Sequence, residues 1–257
     1  MLKCSHILCR VNNIAEVVRD LEAEGFSVEW GSAPERSLNA LLWFEEGPFI
    51  EFFQIPKPLT VLIPPLGLVY GRVAGKRWAY WSRSPQGWCD VALEPDEREG
   101  AGAKRIQDLK AVKSAVNRAG ISTSRLIHGR RTRPDGLKVN YSLFATEPLG
   151  LPFVVSAYDP PQRPDRIEHP NGASRVEWVK MGVAEEHLPS FQTLVNGDRW
   201  LKVVPSPQTG VLEVCLSGLT HTPDPGRLHG AVFATAAPGA EAGQPQWPIY
   251  EGTGGID

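Results

Sequence analysis

The sequence predicts an α+β fold built from repeated βαβββ units, and three observations carry that prediction. Ser5-His6-Ile7-Leu8-Cys9-Arg10-Val11 alternates like a half-buried strand, with Ile7, Cys9 and Val11 on one face and His6, Leu8 and Arg10 on the other. Ile14, Val17, Val18 and Leu21 then recur with the period of a helix that buries one stripe, and Gly25 stops it. The same succession returns twice later in the chain, and an internal repeat on that scale is itself an argument for modular architecture.

The first unit takes residues 1–58. After the helix, Phe26–Trp30 is extended, and Asn39–Phe44 and Phe49–Phe53 are strands around a Glu45-Glu46-Gly47 turn. Residues 59–86 read as a connector holding Pro64-Pro65 and a basic, aromatic stretch from Tyr70 to Trp81. Its Gly71–Arg77 segment lacks the spacing of a phosphate-binding loop and suits a solvated connector or a cavity lid.

The second unit, residues 87–160, opens with Trp88–Leu93. Alternation puts Cys89, Val91 and Leu93 on its apolar face and turns Trp88, Asp90 and Ala92 the way His6 faces. A helix follows with Ile106, Leu109, Val112 and Val116 on one side and Gly120 at its end. Past the polar turn Gly129–Gly136, Leu137–Thr146 and Pro152–Ala157 complete the unit.

A third, shorter unit spans residues 161–218, with a strand at Arg175–Met181 and a helix carrying Leu188, Phe191 and Val195. Two further strands lie at Trp200–Val204 and Gly210–Leu216. Residues 219–257 are rich in proline, glycine and alanine. Ala231–Thr235 is one last strand there, and the tail beyond has little to bury except Trp247, Ile249 and Tyr250.

Composition excludes several classes of function. With 27 basic and 29 acidic residues and a formal net charge of -2, the chain has no broad field for nucleic acid or an anionic membrane. A hydrophobic content of 42% supports a sizeable core, yet no apolar run reaches the length of a membrane span. The four cysteines lack a Cys-x-x-Cys pair, so buried thiols and a cytoplasmic setting are expected.

The unit order, the histidine near the start of the first strand and the glutamate inside the last one resemble a module of the vicinal oxygen chelate superfamily, in its glyoxalase-like branch. His169-Pro170-Asn171-Gly172-Ala173, Arg133-Pro134-Asp135-Gly136 and Leu151-Pro152-Phe153 extend the resemblance along most of the chain. The chain departs from the pattern before Asn39-Ala40-Leu41, where Ser37-Leu38 stands in place of a Gly-Thr pair. The resemblance implies modules curled into half-barrels around a cavity, a small-molecule ligand, and His6 and Glu51 at metal-ligand positions. It also allows a homodimer, because modules in this family often pair across subunits.

Aligning the repeats sets Glu213 against Glu51 and Glu177 near His6, and it puts Val155 where unit two would need its glutamate. The expected metal set is therefore His6, Glu51, Glu177 and Glu213, binding zinc, nickel, iron, manganese or no ion at all. Glu51 and Glu213 are the candidate catalytic carboxylates, moving a proton beside a polarised carbonyl. Glu51 interrupts an apolar run from Pro48 to Phe53, so it needs a cation, a hydrogen-bond network or a proton; an ion pair with Arg10 is the competing structural reading. Trp88, Asp90, Tyr141, Trp178 and His169 are the candidate pocket residues, although buried core and loop bracing are the commoner uses of such side chains. Three functions follow: a metal-dependent lyase or isomerase acting on a carbonyl- or hydroxyl-bearing metabolite, a metal-free binder of the drug-sequestering type, and a ring-cleaving dioxygenase. The last usually needs a second histidine at the site, and none stands at a matching position.

Overall fold

Two βαβββ units lie edge to edge in one curled sheet, and their first strands form the seam. The computed structural model describes residues 1–96 and 109–236. Unit one comprises β1 (Leu2–Arg10), α1 (Ile14–Ala23), β2 (Glu29–Trp30), β3 (Asn39–Leu42) and β4 (Phe49–Phe53). The Asn13 side chain caps α1 by accepting from the Ala15 and Glu16 N–H groups, and Ile14, Val17, Val18 and Leu21 are its buried stripe.

A helical pair follows, α2 (Ile63–Tyr70) and α3 (Arg72–Arg83), where the sequence reading placed a connector. It escaped notice because α2 is apolar on every side and α3 buries an arginine among its inward residues Val73, Ala74, Arg77 and Trp81. α2 therefore lacks the apolar-and-polar striping that marks an ordinary surface helix, and the stripe of α3 is interrupted by its buried arginine.

Unit two contains β5 (Gly87–Pro95), α4 (Leu109–Arg118), β6 (Ser122–Thr123), β7 (Ile127–Thr132), β8 (Lys138–Phe144), β9 (Thr146–Glu147) and β10 (Phe153–Val155). Leu109 and Val116 of α4 are buried, whereas Ile106 lies outside the described residues. The large sheet runs β2-β3-β4-β1-β5-β10-β8-β7, and β6 pairs with β9 apart from it. β1 is parallel to β4, β5 is parallel to β10, and β1 meets β5 antiparallel. His6 stands opposite Phe49 and Ala92 stands opposite Phe153. Ala92 and Val155 therefore occupy in unit two the places of His6 and Glu51 in unit one.

The sheet separates two apolar regions. Ile7, Cys9, Val91 and Leu93 pack with the stripes of α1 and α4 in the main core. Leu8, Ala92, Phe153 and Val155 face the other way, toward a hollow covered by Trp81 of α3. Two β-bulges interrupt the seam, one adding Ser5 to β1 and the other adding Cys89 to β5. The second reverses the facing of everything before it. Trp88 consequently packs with Phe233 in the main core, not on the face of His6 as simple alternation expects.

The third unit has a different topology. It consists of β11 (Arg175–Val183), α5 (Leu188–Val195), β12 (Leu201–Pro205) and β13 (Gly210–Ser217), to which β14 (Phe233–Thr235) adds an edge. Its order is β12-β11-β13-β14, with β13 antiparallel to β11, whereas β4 is parallel to β1. The counterpart of the β1–β4 pairing is thus missing between β11 and β13. Phe191, Val179 and Val214 join the main core, so this sheet backs the first one instead of enclosing a hollow. The tail holding Trp247, Ile249 and Tyr250 lies outside the described residues. Among the described residues, no helix is long and apolar enough to cross a membrane.

Candidate active site

The hollow on the inner face of the sheet is a cavity of about 780 Å³. Its walls are mainly apolar and aromatic, with Phe53, Trp78, Trp81 and Phe153 among them, and Leu59, Leu62, Ile63 and Leu66 close it from the α2 side. Among the described residues Glu51 is the one carboxylate in its lining, and Arg36, Arg130 and Arg131 supply three cations.

His6 reaches the cavity because β1 turns it away from the main core. The ring is stacked on Phe49 at 4.6 Å and meets Phe153 edge-on at 5.8 Å. Its Nδ1 lies 3.2 Å from Ser5 Oγ, and Ser5 Oγ donates to Glu94 Oε2 at 2.9 Å. Since the hydroxyl spends its single hydrogen on Glu94, it accepts from Nδ1–H, and the Nε2 lone pair is left free. That lone pair faces Glu51 Oε2 at 3.7 Å. Burial, reinforced by the Arg131 cation, lowers the His6 pKa to about 3, so the ring is neutral at ordinary pH.

Glu51 stands on β4 in the cavity wall, with 21% of its side chain exposed. Its Oε1 accepts from Asn39 Nδ2 at 2.8 Å. Burial raises its pKa, and this outweighs the opposing effects of the Asn39 hydrogen bond and the Arg131 charge. The competing ion pair with Arg10 is not formed; Arg10 bonds the Asn12 side chain instead. Two acceptors therefore converge on one point, and whatever enters between them must bring a proton or positive charge.

Arg131 comes from β7, at the far edge of the sheet. The curl carries that edge round toward β2, where Arg133 lies 3.6 Å from Glu29. Arg131 Nη1 would stand 2.7 Å from a Cβ at Gly31, and the Asn39 side chain would be closer still, so a larger residue there would displace one or both. Tyr141 and Tyr158 complete the polar wall with ring centres 5.5 Å apart. Burial and the Glu51 charge raise both phenols, which remain proton donors.

Of the residues nominated from sequence, His6, Glu51 and Tyr141 meet in this cavity; the others do not. Asp90 is buried in an ion pair with Arg77 at 2.7 Å and accepts from Trp81 Nε1 at 2.6 Å, which ties α3 to β5. His169 accepts from the Ser27 N–H through Nδ1 and reaches the Trp43 carbonyl through Nε2, so both ring nitrogens hold loops. Trp178 lies against Lys180 and Lys202 on the third sheet. Glu177 pairs with Arg175 at 2.5 Å and Glu213 with Lys180 at 2.8 Å, both on that same sheet. Asn39, Arg131, Ser5 and Tyr158 escaped the sequence reading. Asn39 alone left a signal, since it shares a face of β3 with Leu41, which pairs with Glu51.

Paired βαβββ units forming a curled half-barrel around a cavity define the vicinal oxygen chelate fold, and this chain has that fold. Residues 4–194 match the glyoxalase-like domain family, and the chain belongs to it. Among solved structures, a hypothetical protein from Staphylococcus aureus is similar with a TM-score of 0.65 at 12% identity, over 92% of this chain and 99% of that one. A Mn(II)-bound glyoxalase from Novosphingobium aromaticivorans gives a TM-score of 0.47 at 11% identity, over 88% and 68%. A variant of homoprotocatechuate 2,3-dioxygenase from B. fuscum gives 0.43 at 12%, over 84% and 56%. No curated protein matches the sequence.

Proposed function

We propose that the chain is a glyoxalase-like enzyme that moves a proton beside the carbonyl of a small, largely apolar metabolite, as a lyase or isomerase. The observation that carries this reading is Glu51, a carboxylate with a raised pKa set in the cavity wall with an amide and a neutral imidazole as neighbours. A carboxylate whose proton affinity is raised by burial is a stronger general base than a solvated one. His6 accepts a substrate hydrogen through Nε2, and the Arg131 guanidinium with the two phenols offsets the charge that develops on the carbonyl oxygen.

The fold family implies a divalent ion at this place, and the donor set can be tested against one. Among the described residues, no group of three or more His, Cys, Asp or Glu gathers there or elsewhere. Ala92 and Val155 fill the matching places of unit two, and the nearby charge of Arg131 opposes a cation. Zinc, nickel, iron and manganese sites draw three or more donors from protein. His6 and Glu51 alone do not fit an ion retained by this chain, so the reading routes no step through a metal. The ring-cleaving alternative loses its support for the same reason.

In deuterated water with a panel of aryl and acyl ketones and 2-oxo acids, the protein is expected to accelerate exchange of the hydrogens beside the carbonyl. Glu51→Gln should slow this by about 10²–10⁴-fold. Exchange at the unaltered rate in Glu51→Gln contradicts the proposal. Tight binding of these compounds with no exchange favours the second reading, a sequestering binder, which the mainly apolar wall supports. The four unpaired, buried thiols suit a reducing compartment, and we place the protein in the cytoplasm.

A further inference from the structure

We propose that the cavity selects a monoanionic ligand, an aryl or acyl 2-oxo acid in chemical class, and that Arg131 holds its carboxylate. This rests on the cavity being the substrate site and adds the chemistry by which the substrate is recognised. The first support is charge. The lining contributes three arginines against one carboxylate, so the hollow presents a net positive interior to an entering molecule. The second is the state of Arg131 itself. Among the described residues, no carboxylate forms an ion pair with it, whereas its neighbour Arg133 has both Glu29 and Asp135, and Arg77 has Asp90.

Arg131 Nη2 donates only to the neutral Gln162 carbonyl, and Nη1 is buried with no acceptor. A buried donor left unmade is costly, and a ligand oxygen is the group that would satisfy it. A guanidinium also presents paired donors in one plane, which suits a carboxylate and an adjacent keto oxygen together. The third support is volume. About 780 Å³ far exceeds what an acid group needs, and Trp78, Trp81, Phe53 and Leu66 offer an apolar wall for a ring or acyl chain. Glu51, in the same cavity lining, argues against a second negative charge on the ligand and is the base for the carbon beside the keto group.

Isothermal titration of phenylpyruvate against phenylacetone, which lacks the carboxylate, tests the inference. The acid should bind at least about tenfold more tightly. Arg131→Met should erase that preference by weakening phenylpyruvate far more than phenylacetone, and Arg131→Lys should restore part of it; thermal melts of both variants establish that they are folded. Equal binding of the two compounds to the unaltered protein, no saturable binding of phenylpyruvate at millimolar concentration, or a preference that survives Arg131→Met each overturns it. Exchange in the unaltered protein separates the two proposals. Preference for the acid with no exchange in the unaltered protein leaves anion selection standing and the catalytic reading fallen, whereas exchange that Glu51→Gln slows, without any preference for the acid, does the reverse.

Discussion

The first and third units each place acidic or imidazole groups at corresponding points of their strands, yet only the first brings them together. In unit one, β1 and β4 run side by side in parallel, and His6 and Glu51 point into the same hollow. In the third unit, β13 runs antiparallel to β11, and register puts Lys180 directly across from Glu213. The two carboxylates differ in what surrounds them. Glu213 has an ammonium at 2.8 Å and needs nothing more, whereas Glu51 has an amide and an uncharged ring and keeps its affinity for a proton. Spacing along a strand thus creates a site only when strand order closes a cavity over it.

The comparison can be broken most severely through Asp90. Asp90→Ala leaves the Arg77 guanidinium buried without its counter-charge, and urea unfolding should show a loss of about 3–5 kcal/mol. Glu213→Ala removes a half-exposed pair on the other sheet and should cost no more than about 1 kcal/mol. Next in size is Ser5→Ala, which frees the His6 tautomer; exchange activity should fall about tenfold with little change in melting temperature. Elemental analysis of the purified protein should find substoichiometric zinc, nickel, iron and manganese. A full equivalent that is lost in Glu51→Ala would restore the metal reading.

A gentler test uses pH. His6 has a pKa of about 3 in the folded chain against 6.5 for an ordinary histidine, so the unfolded chain takes up this proton first. Its contribution therefore leaves stability unaffected above pH 6.5 and lowers it progressively from there toward pH 3. The slope attributable to the ring is about 1.4 kcal/mol per pH unit at most, and His6→Phe should flatten the profile in that window. Glu51 has the opposite sign: its raised pKa means that stability is lost as pH rises above the ordinary carboxylate range. Glu51→Gln is accordingly expected to raise the melting temperature slightly at neutral pH.

Unit one was legible because its information is local. The alternation of β1, the stripe of α1 and a glutamate set in an apolar strand all lie within a few residues of one another, and the structure keeps each of them. What the sequence concealed depends on long-range geometry. One extra residue at Cys89 reverses the face of Trp88, and no composition signal announces a bulge. Counting elements made the third unit look like the first, because a strand's position in the chain does not reveal which neighbour it will pair with. Arg131 lies in a polar, arginine-rich stretch that reads as a solvated turn, and only the curl of the sheet brings it beside Gly31 and Asn39. Asp90 reads as a pocket residue from alternation alone, and its counter-ion Arg77 lies on α3, outside that strand pattern.

Side-by-side measurement of solvent-hydrogen exchange in Glu51→Gln and Glu213→Gln tests the central claim most directly. The account predicts loss of about 10²–10⁴-fold in the first and an unchanged rate in the second. Equal losses in both, or a loss confined to Glu213→Gln, would contradict it.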